Sequence, residues 1–289
     1  MKKFVYFLIG ISIISCKDFK KESKEDNNAT DVVTEKAKVT LHVLDGGTVQ
    51  ANMLELFSED TTYTGQARGF ADAYYVIKHP KGTLMWDAGL PEKLVGMAQP
   101  FSPNAAFTVS RKDSLDKQLQ SIGMTVDSID YISLSHTHFD HSGHANNLKE
   151  STWLVQESEY NFVTSDTVKK TQPDMYNAIK DLKKIKKLNG DFDVFGDSTV
   201  VIKSMPGHTP GHQVLYLDLS LEKPILLTGD LYHIEENRTY KRVPSFNYDI
   251  PMTKKTMEVF EAFATEKNAD VFIQHSVSDF ERLKELLKQ

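Results

Sequence analysis

Apolar and polar residues alternate in short runs through most of the chain from residue 38 onward. Alternation with a period of two is typical of strands that bury one face, and a spacing of three to four residues is typical of helices. The predicted strands are 39–44, 73–78, 83–86, 129–134, 154–155, 199–204, 213–218, 224–228 and 271–274. The predicted helices are 114–122, 157–163, 253–265 and 279–287. Strand-rich blocks punctuated by helices, in two successive halves, predict an α/β fold with two packed sheets and helices outside.

Two segments break this pattern. Residues 169–187 are rich in lysine and have weak helical character, which indicates a solvated surface insertion. Residues 17–36 are polar and charged, with almost no large apolar side chain, so burial cannot offset the entropy lost on ordering. We therefore expect residues 16–37 to form a flexible tether that leads into a single folded domain at 38–289.

The first fifteen residues have the features of a signal peptide. Lys2 and Lys3 form a positive start, and the apolar run from Phe4 to Ser15 is too short to span a bilayer comfortably. The run ends in Ile-Ile-Ser-Cys at Cys16, which resembles the lipobox of bacterial lipoproteins, where the peptide is cut before an acylated cysteine. This resemblance implies an exported lipoprotein, anchored to a membrane through Cys16 and either periplasmic or displayed at the cell surface. An ordinary secretory signal with an incidental cysteine is the alternative.

Composition limits the chemistry that is available. The chain has 289 residues, a formal charge of −6 and no long basic run after its first 25 residues, which argues against nucleic acid as a partner. Cys16 is the only cysteine, so the chain can form neither an internal disulfide nor a thiolate metal site. A metal centre in this chain would have to use histidine and carboxylate. Composition leaves the oligomeric state open.

A dense group of metal-ligand residue types follows the predicted strand 129–134. Alternation in an extended segment sends His136 and His138 to the same side, where both can reach one metal ion. Asp140 and His141 come next, as the chain turns, and can serve a second position a few ångströms away. Three histidines and a carboxylate within six residues are hard to explain by packing, because such side chains are costly to bury without partners.

Three more candidate ligands lie at the ends of other predicted strands. His208 follows the strand 199–204, Asp230 follows 224–228, and His275 follows 271–274. Catalytic metal sites leave a coordination position open to water, and two-metal sites share a bridging ligand between the ions. Seven ligands therefore fit two divalent ions, and their nitrogen and oxygen donors favour zinc.

The order of these motifs resembles that of the metallo-β-lactamase fold hydrolases. The matching stretches are HTHFDH at 136–141, GHTPGH at 207–212, TGD at 228–230 and the late His275. The resemblance covers essentially all of residues 38–289 and implies an αββα sandwich of two packed mixed β-sheets. It assigns the two metals as follows: His136, His138 and His208 hold the first, Asp140, His141 and His275 hold the second, and Asp230 bridges them. Asp87 resembles the family's early aspartate, which lies near the site.

Within that superfamily the sequence is most similar to the N-acyl-homoserine lactonases, which open signalling lactones and so quench quorum sensing. This resemblance implies a small lactone as substrate and Asp140 as the group that passes a proton to the leaving alkoxide. Tyr232 is the candidate for the tyrosine that contacts the substrate carbonyl in those enzymes. Its offset from Asp230 is one residue shorter than in that family, so His233 is an alternative.

Other functions remain open at this point. The same site could serve a β-lactamase, a thioesterase or a phosphodiesterase, or a non-catalytic metal-binding lipoprotein. True metallo-β-lactamases generally lack an aspartate at the place of Asp230, which favours the lactonase. Among the remaining histidines, we expect His212 to lie beside the ligands or in the packing and His144 at the surface or rim. His42 and His79 carry no functional context.

Overall fold

The computed structural model describes residues 37–289. The signal peptide, the lipidated Cys16 and nearly all of the tether lie outside the described residues and stay predictions. Within 37–289, no helix has both the length and the apolar character needed to cross a membrane.

Eight strands form the larger sheet, which is mixed. They are β1 (Thr40–Ala51), β2 (Arg68–His79), β3 (Gly82–Trp86), β4 (Phe101–Asn104), β5 (Phe107–Ser110), β6 (Tyr131–Ser133), β7 (Thr152–Gln156) and β8 (Lys184–Leu188). Their order across the sheet is β4-β5-β1-β2-β3-β6-β7-β8. The pairs from β4 to β3 are antiparallel, whereas β3, β6, β7 and β8 run parallel. The carboxyl ends of β3 and β6 therefore meet at one edge, where the histidine-rich segment begins.

Five strands form the smaller sheet. They are β9 (Phe192–Asp193), β10 (Val200–Ser204), β11 (Gln213–Leu217), β12 (Ile225–Leu227) and β13 (Asp270–Phe272), in the order β13-β12-β11-β10-β9. Only the pairing of β12 with β13 is parallel among the pairs of this sheet in the described residues. The loops after β10, β12 and β13 lead to His208, Asp230 and His275, so this sheet supplies the second group of candidate ligands.

The helices are α1 (Leu115–Ser121), α2 (Glu157–Val163), α3 (Asp166–Thr171), α4 (Pro173–Ile179), α5 (Glu235–Tyr240), α6 (Ile250–Glu266) and α7 (Val277–Leu287). Side-chain oxygens cap four of them at the N-terminus. Ser114, Ser165, Asp249 and Ser276 each accept a hydrogen bond from a backbone N–H in the first turn of α1, α3, α6 and α7. Such caps satisfy donors that a helix cannot pair internally.

The core has three layers of contact, which follow from the alternation of β2. Ala73, Tyr75 and Ile77 face the smaller sheet and pack against residues of β10, β11 and β12. Tyr74 and Val76 face the other way and pack against α1 to α4. The far side of the smaller sheet packs against α6. The layers are therefore helix, sheet, sheet and helix, which confirms the αββα sandwich predicted from the sequence.

The lysine-rich segment agrees with its prediction only in part. Most of residues 169–187 are exposed, as predicted, but Met175 and Ile179 of α4 are buried in the outer helical layer, so the segment is part of the packed fold. The end of the segment forms β8, whose first four residues are exposed at the edge of the larger sheet. Lysines dominate the composition here, but the few apolar side chains are spaced so that one face packs inward. The short hairpin of β4 and β5 was likewise not predicted.

Candidate metal centre and active site

One loop from the larger sheet, after β6, and three from the smaller one bring the seven predicted ligands together. The ligand atoms of His136, His138, His208 and Asp230 all lie within 4.8 Å of one another. Those of Asp140, His141 and His275 also lie within 4.8 Å of one another. The grouping matches the division expected from the sequence, with Asp230 counted in the first group.

Asp230 stands between the two groups. Its Oδ1 lies 3.1 Å from Nε2 of His141 and 3.0 Å from Nε2 of His275. Its Oδ2 lies 3.3 Å from Nε2 of His208 and 3.6 Å from Nε2 of His136. The carboxylate is 3% exposed, and Oδ1 has no hydrogen bond despite these close nitrogens. One oxygen therefore faces each group, which is the placement of a bridging ligand.

Hydrogen bonds on the far side of three of the rings fix which nitrogen faces inward. Nδ1 of His208 lies 2.7 Å from Oδ1 of Asn247, Nδ1 of His275 lies 2.9 Å from the carbonyl of Ala71, and Nδ1 of His141 lies 3.2 Å from Oδ2 of Asp87. An imidazole that donates from Nδ1 presents a lone pair at Nε2. Three lone pairs consequently converge on the space beside Asp230.

The arrangement of the first group is unfavourable without a cation. Nε2 of His136, Nδ1 of His138 and Nε2 of His208 lie 2.8 to 3.2 Å apart. Three nitrogens this close cannot all be satisfied by hydrogen bonds to one another, since His208 has already donated its proton to Asn247. A shared cation would satisfy all three lone pairs.

The electrostatics of the first group also suit metal ligation. Burial, and then the neighbouring imidazoles, lower the pKa of His136 and His138 well below the ordinary value, so both rings are neutral. Burial alone would raise the pKa of Asp230, but the surrounding imidazoles, His233 first, hold it well below its usual range. Metal ligands must be neutral histidine and ionised carboxylate, so these side chains are in the ligating form.

The second group carries an excess of negative charge. Burial lowers the pKa of His275, but the carboxylates of Asp230 and Asp140 outweigh that effect and raise it to about 9. The pKa of His141 is also raised, by Asp230, Asp87 and Asp140 against the effect of burial. These carboxylates favour a positive charge at this position, which a proton or a metal cation can supply. The residues of both groups therefore fit a pair of divalent cations.

A pocket of about 700 Å³ opens directly onto both groups. His138, Asp140, Asp230 and His275 form its floor. Its walls are mainly apolar and include Phe57, Phe70, Leu94, Phe107, Val109 and Phe139. A ligand held here would place a polar end at the carboxylates and an apolar end against the aromatic wall.

The structure does not bring Tyr232 to this pocket. Its ring is buried in the core between the smaller sheet and α6, and its hydroxyl donates to Oε1 of Glu261 on α6 at 2.9 Å. The alternative residue, His233, lines the pocket instead, with Nε2 at 2.9 Å from Oδ2 of Asp230. Successive side chains in the extended segment after Asp230 point to opposite sides, so only one of the two can face the site.

The prediction for His144 is also wrong. It is 2% exposed, and its Nδ1 lies 2.7 Å from a guanidinium nitrogen of Arg111, a residue that the sequence did not single out. His212 does lie beside the ligands, where its Nε2 accepts a hydrogen bond from the backbone N–H of Asp230 at 3.0 Å. His79 is remote from the site and pairs with Asp197 at 2.8 Å.

Two side chains that hold the ligands were missed. Asn247 lies in the loop before α6, 39 residues after the histidine that it orients, and no local motif marks it. Gln274 precedes a ligand directly, and its Nε2 donates to Oδ2 of Asp87 at 2.8 Å. A polar residue at the end of a buried strand, next to a ligand, was an available signal for Gln274.

Comparison with known proteins gives a consistent result. The model of the metallo-beta-lactamase superfamily matches residues 68–275. The N-acyl homoserine lactonase AttM of Rhizobium radiobacter is 27% identical over 222 residues, which cover 70% of this chain and 80% of that protein. An N-acyl homoserine lactonase of a Bacillus species is 26% identical over 233 residues, which cover 78% of this chain and 89% of the relative.

Solved structures with the same fold include an N-acyl homoserine lactone hydrolase with the product N-hexanoyl-L-homoserine bound at its catalytic metal centre. That structure aligns with a TM-score of 0.73 at 22% identity, over 86% of this chain and 97% of its own. The dizinc quorum-quenching lactonase AidC, also in complex with a product, aligns with a TM-score of 0.63 at 19% identity, over 83% of this chain and 90% of its own.

Proposed function

Since the chain belongs to the metallo-beta-lactamase superfamily, we propose that it is a dinuclear-metal hydrolase that opens the lactone ring of N-acyl-homoserine lactones. The observation that carries this proposal is the pocket, in which two groups of metal-ligand side chains meet an aromatic wall. An N-acyl-homoserine lactone has the matching polarity, with a polar ring at one end and an apolar chain at the other. The curated relatives that carry this activity in their names support the same substrate.

We propose zinc for both positions, because imidazole nitrogens and carboxylate oxygens are ligands that zinc accepts in catalytic sites. His136, His138 and His208 would hold one ion, Asp140, His141 and His275 the other, and Asp230 would contact both. When bound, two such cations lower the pKa of a water molecule and polarise the ester carbonyl.

We propose that Asp140 moves the proton of the reaction. Its side chain is 13% exposed and lines the pocket, 3.8 Å from His275 and 3.9 Å from His141. The carboxylate can accept a proton from the attacking water and return it to the alkoxide oxygen that leaves when the ring opens. Because that oxygen remains tethered to the product, it stays within reach of the same carboxylate.

The apolar wall predicts how activity depends on the acyl chain. Each methylene that moves from water onto this wall contributes about 0.8 kcal/mol, or roughly fourfold, until the wall is covered. We expect kcat/KM to rise from butanoyl- to octanoyl-homoserine lactone by at least about tenfold, mostly through a lower KM. The measurement is steady-state ring opening, followed by proton release, on a series of chain lengths with zinc-loaded protein. If no homoserine lactone of any length is opened, the proposed function is wrong.

His233 and Tyr232 provide a matched pair of variants. His233→Ala removes the contact to Asp230 and is expected to lower kcat/KM by roughly 10- to 100-fold, as for the loss of a hydrogen bond to a charged group. Tyr232→Phe removes a bond to Glu261 outside the site, so we expect kcat/KM to stay within about twofold of the wild type. The same substitution should lower the free energy of unfolding by about 1 kcal/mol, measured by urea denaturation. The reverse pattern, with a large kinetic defect only in the tyrosine variant, would contradict this placement.

A further inference from the structure

A buried carboxylate that is not itself a candidate ligand connects the two loops that supply the histidines of the first metal group. Glu159 lies in the first turn of α2 and is 2% exposed. Its Oε1 accepts hydrogen bonds from the backbone N–H and the hydroxyl of Thr137 at 3.0 and 2.7 Å. Its Oε2 accepts from the hydroxyl of Thr209 at 2.7 Å and from the backbone N–H of Gly211 at 2.9 Å. Both oxygens are therefore used, by donors from two separate loops.

The donors are the neighbours of metal-ligand residues. Thr137 stands between His136 and His138, and Thr209 directly follows His208. A charged group accepting from a backbone N–H makes a stronger bond than a neutral one, and burial strengthens it further. Glu159 thus fixes the loop of the larger sheet against the loop of the smaller sheet at the point where their histidines meet.

The packing around this carboxylate is close. A Cβ atom added at Gly211 would lie 2.5 Å from the backbone nitrogen and from the Cβ of Glu159. Glycine at this position lets the loop of His208 rest directly on the first turn of α2. The loop of His208 therefore has little room to move relative to Glu159.

We infer that Glu159 is a positioning residue for the first metal group, setting the spacing between the loop of His136 and His138 and the loop of His208. This inference rests on the metal-binding part of the proposed function and is independent of the substrate. The second group draws Asp140 and His141 from the same loop, but His141 and His275 have their own hydrogen bonds to Asp87 and Ala71. Loss of Glu159 therefore weakens the first group selectively.

The test is the metal affinity of Glu159→Gln, measured on the apo protein by competition with a chromophoric zinc chelator. Glutamine keeps the volume but places an amide N–H against donors that need an acceptor. We expect the affinity of one position to fall by 10- to 100-fold, as for other partners of metal ligands, with the second position within about threefold of the wild type. Repeating the titration in a His275→Ala background assigns the weakened position to His136, His138 and His208.

Two further variants separate positioning from general stability. Asp197 is a carboxylate remote from the site that also accepts several hydrogen bonds, from Thr199 and His79. The control variant Asp197→Asn should therefore leave both zinc affinities unchanged. Thr209→Val removes one of the four bonds and should lower the affinity of the first position by roughly three- to tenfold, even if the glutamine variant does not fold. The absorption spectrum of the cobalt-substituted protein should change in Glu159→Gln and Thr209→Val and stay unchanged in Asp197→Asn.

Equal losses at both positions, or unchanged affinities in Glu159→Gln and Thr209→Val, would overturn the inference. Wild-type protein that binds two zinc ions without opening any lactone would instead overturn the proposed function and leave the effect of Glu159 measurable.

Discussion

Asp230→Asn is expected to lower kcat/KM by at least about 10³, roughly 4 kcal/mol of transition-state stabilisation, and to reduce bound zinc from two ions per chain to one or fewer. Asparagine has nearly the same shape, so the change removes charge more than volume. The carboxylate of Asp230 faces both metal groups, with one oxygen near His141 and His275 and the other near His208. Without this charge, two bound cations would repel each other with no carboxylate to offset the repulsion.

The measurements for this variant are steady-state kinetics together with elemental analysis of the purified protein. Asp270→Asn is a suitable control, because that carboxylate is partly exposed and pairs only with Lys223 among the described ion pairs. It should retain wild-type zinc content and activity. An Asp230→Asn protein with two ions and full turnover would exclude a bridging role for this residue.

A second large effect is expected in the choice between lactone and lactam. We expect kcat/KM for acyl-homoserine lactones to exceed that for any β-lactam by at least about 10³, again roughly 4 kcal/mol. When a lactone ring opens, the leaving oxygen is an alkoxide, which a bound cation would stabilise. When a lactam ring opens, the leaving nitrogen needs a proton as its bond breaks. Asp140 lines the pocket, and in the mechanism that we propose it takes the proton from water and would also have to supply the proton to the lactam nitrogen. A leaving alkoxide can be protonated after its bond has broken, whereas a lactam nitrogen must receive the proton while its bond breaks. A lactam is therefore the poorer substrate for this site.

This comparison needs both substrates measured on one preparation with the same zinc content. Octanoyl-homoserine lactone and a penicillin are suitable substrates. Opening of the lactone is measured by proton release, and opening of the lactam by the change in absorbance. Comparable rates for the two substrates, or a preference for the lactam, would contradict the lactonase proposal while leaving the metal groups unaffected.

The sequence predicted the fold and the meeting of the ligands because both depend on local patterns. His136 and His138 are two residues apart in an extended segment, so their shared direction follows from backbone geometry alone. His208, Asp230 and His275 each follow a strand, and the strand ends of packed sheets lie close together. The αββα order of the layers and the division of the ligands between two metals came from the resemblance to the metallo-β-lactamase fold hydrolases.

The predictions that failed concern side chains whose direction and burial depend on partners far away in the sequence. The direction of Tyr232 depends on a partner, Glu261, that lies 29 residues later in α6. His144 is buried because Arg111, from a different loop, offers it a hydrogen bond. The packed side of residues 169–187 was not predicted, because the lysines outnumber the few apolar side chains that form it. Spacing along the chain carries no information about any of these partners.

The candidate ligands come from both sheets, and this has a consequence for the whole domain. His136, His138, Asp140 and His141 follow a strand of the larger sheet, whereas His208, Asp230 and His275 follow strands of the smaller one. A cation held by ligands from both sheets acts as a cross-link between the two halves of the sandwich. Ligands that bind only the native state stabilise it by mass action. With zinc as the proposed cation, the resistance of the domain to heat and denaturant would be tied to the free zinc concentration of its surroundings.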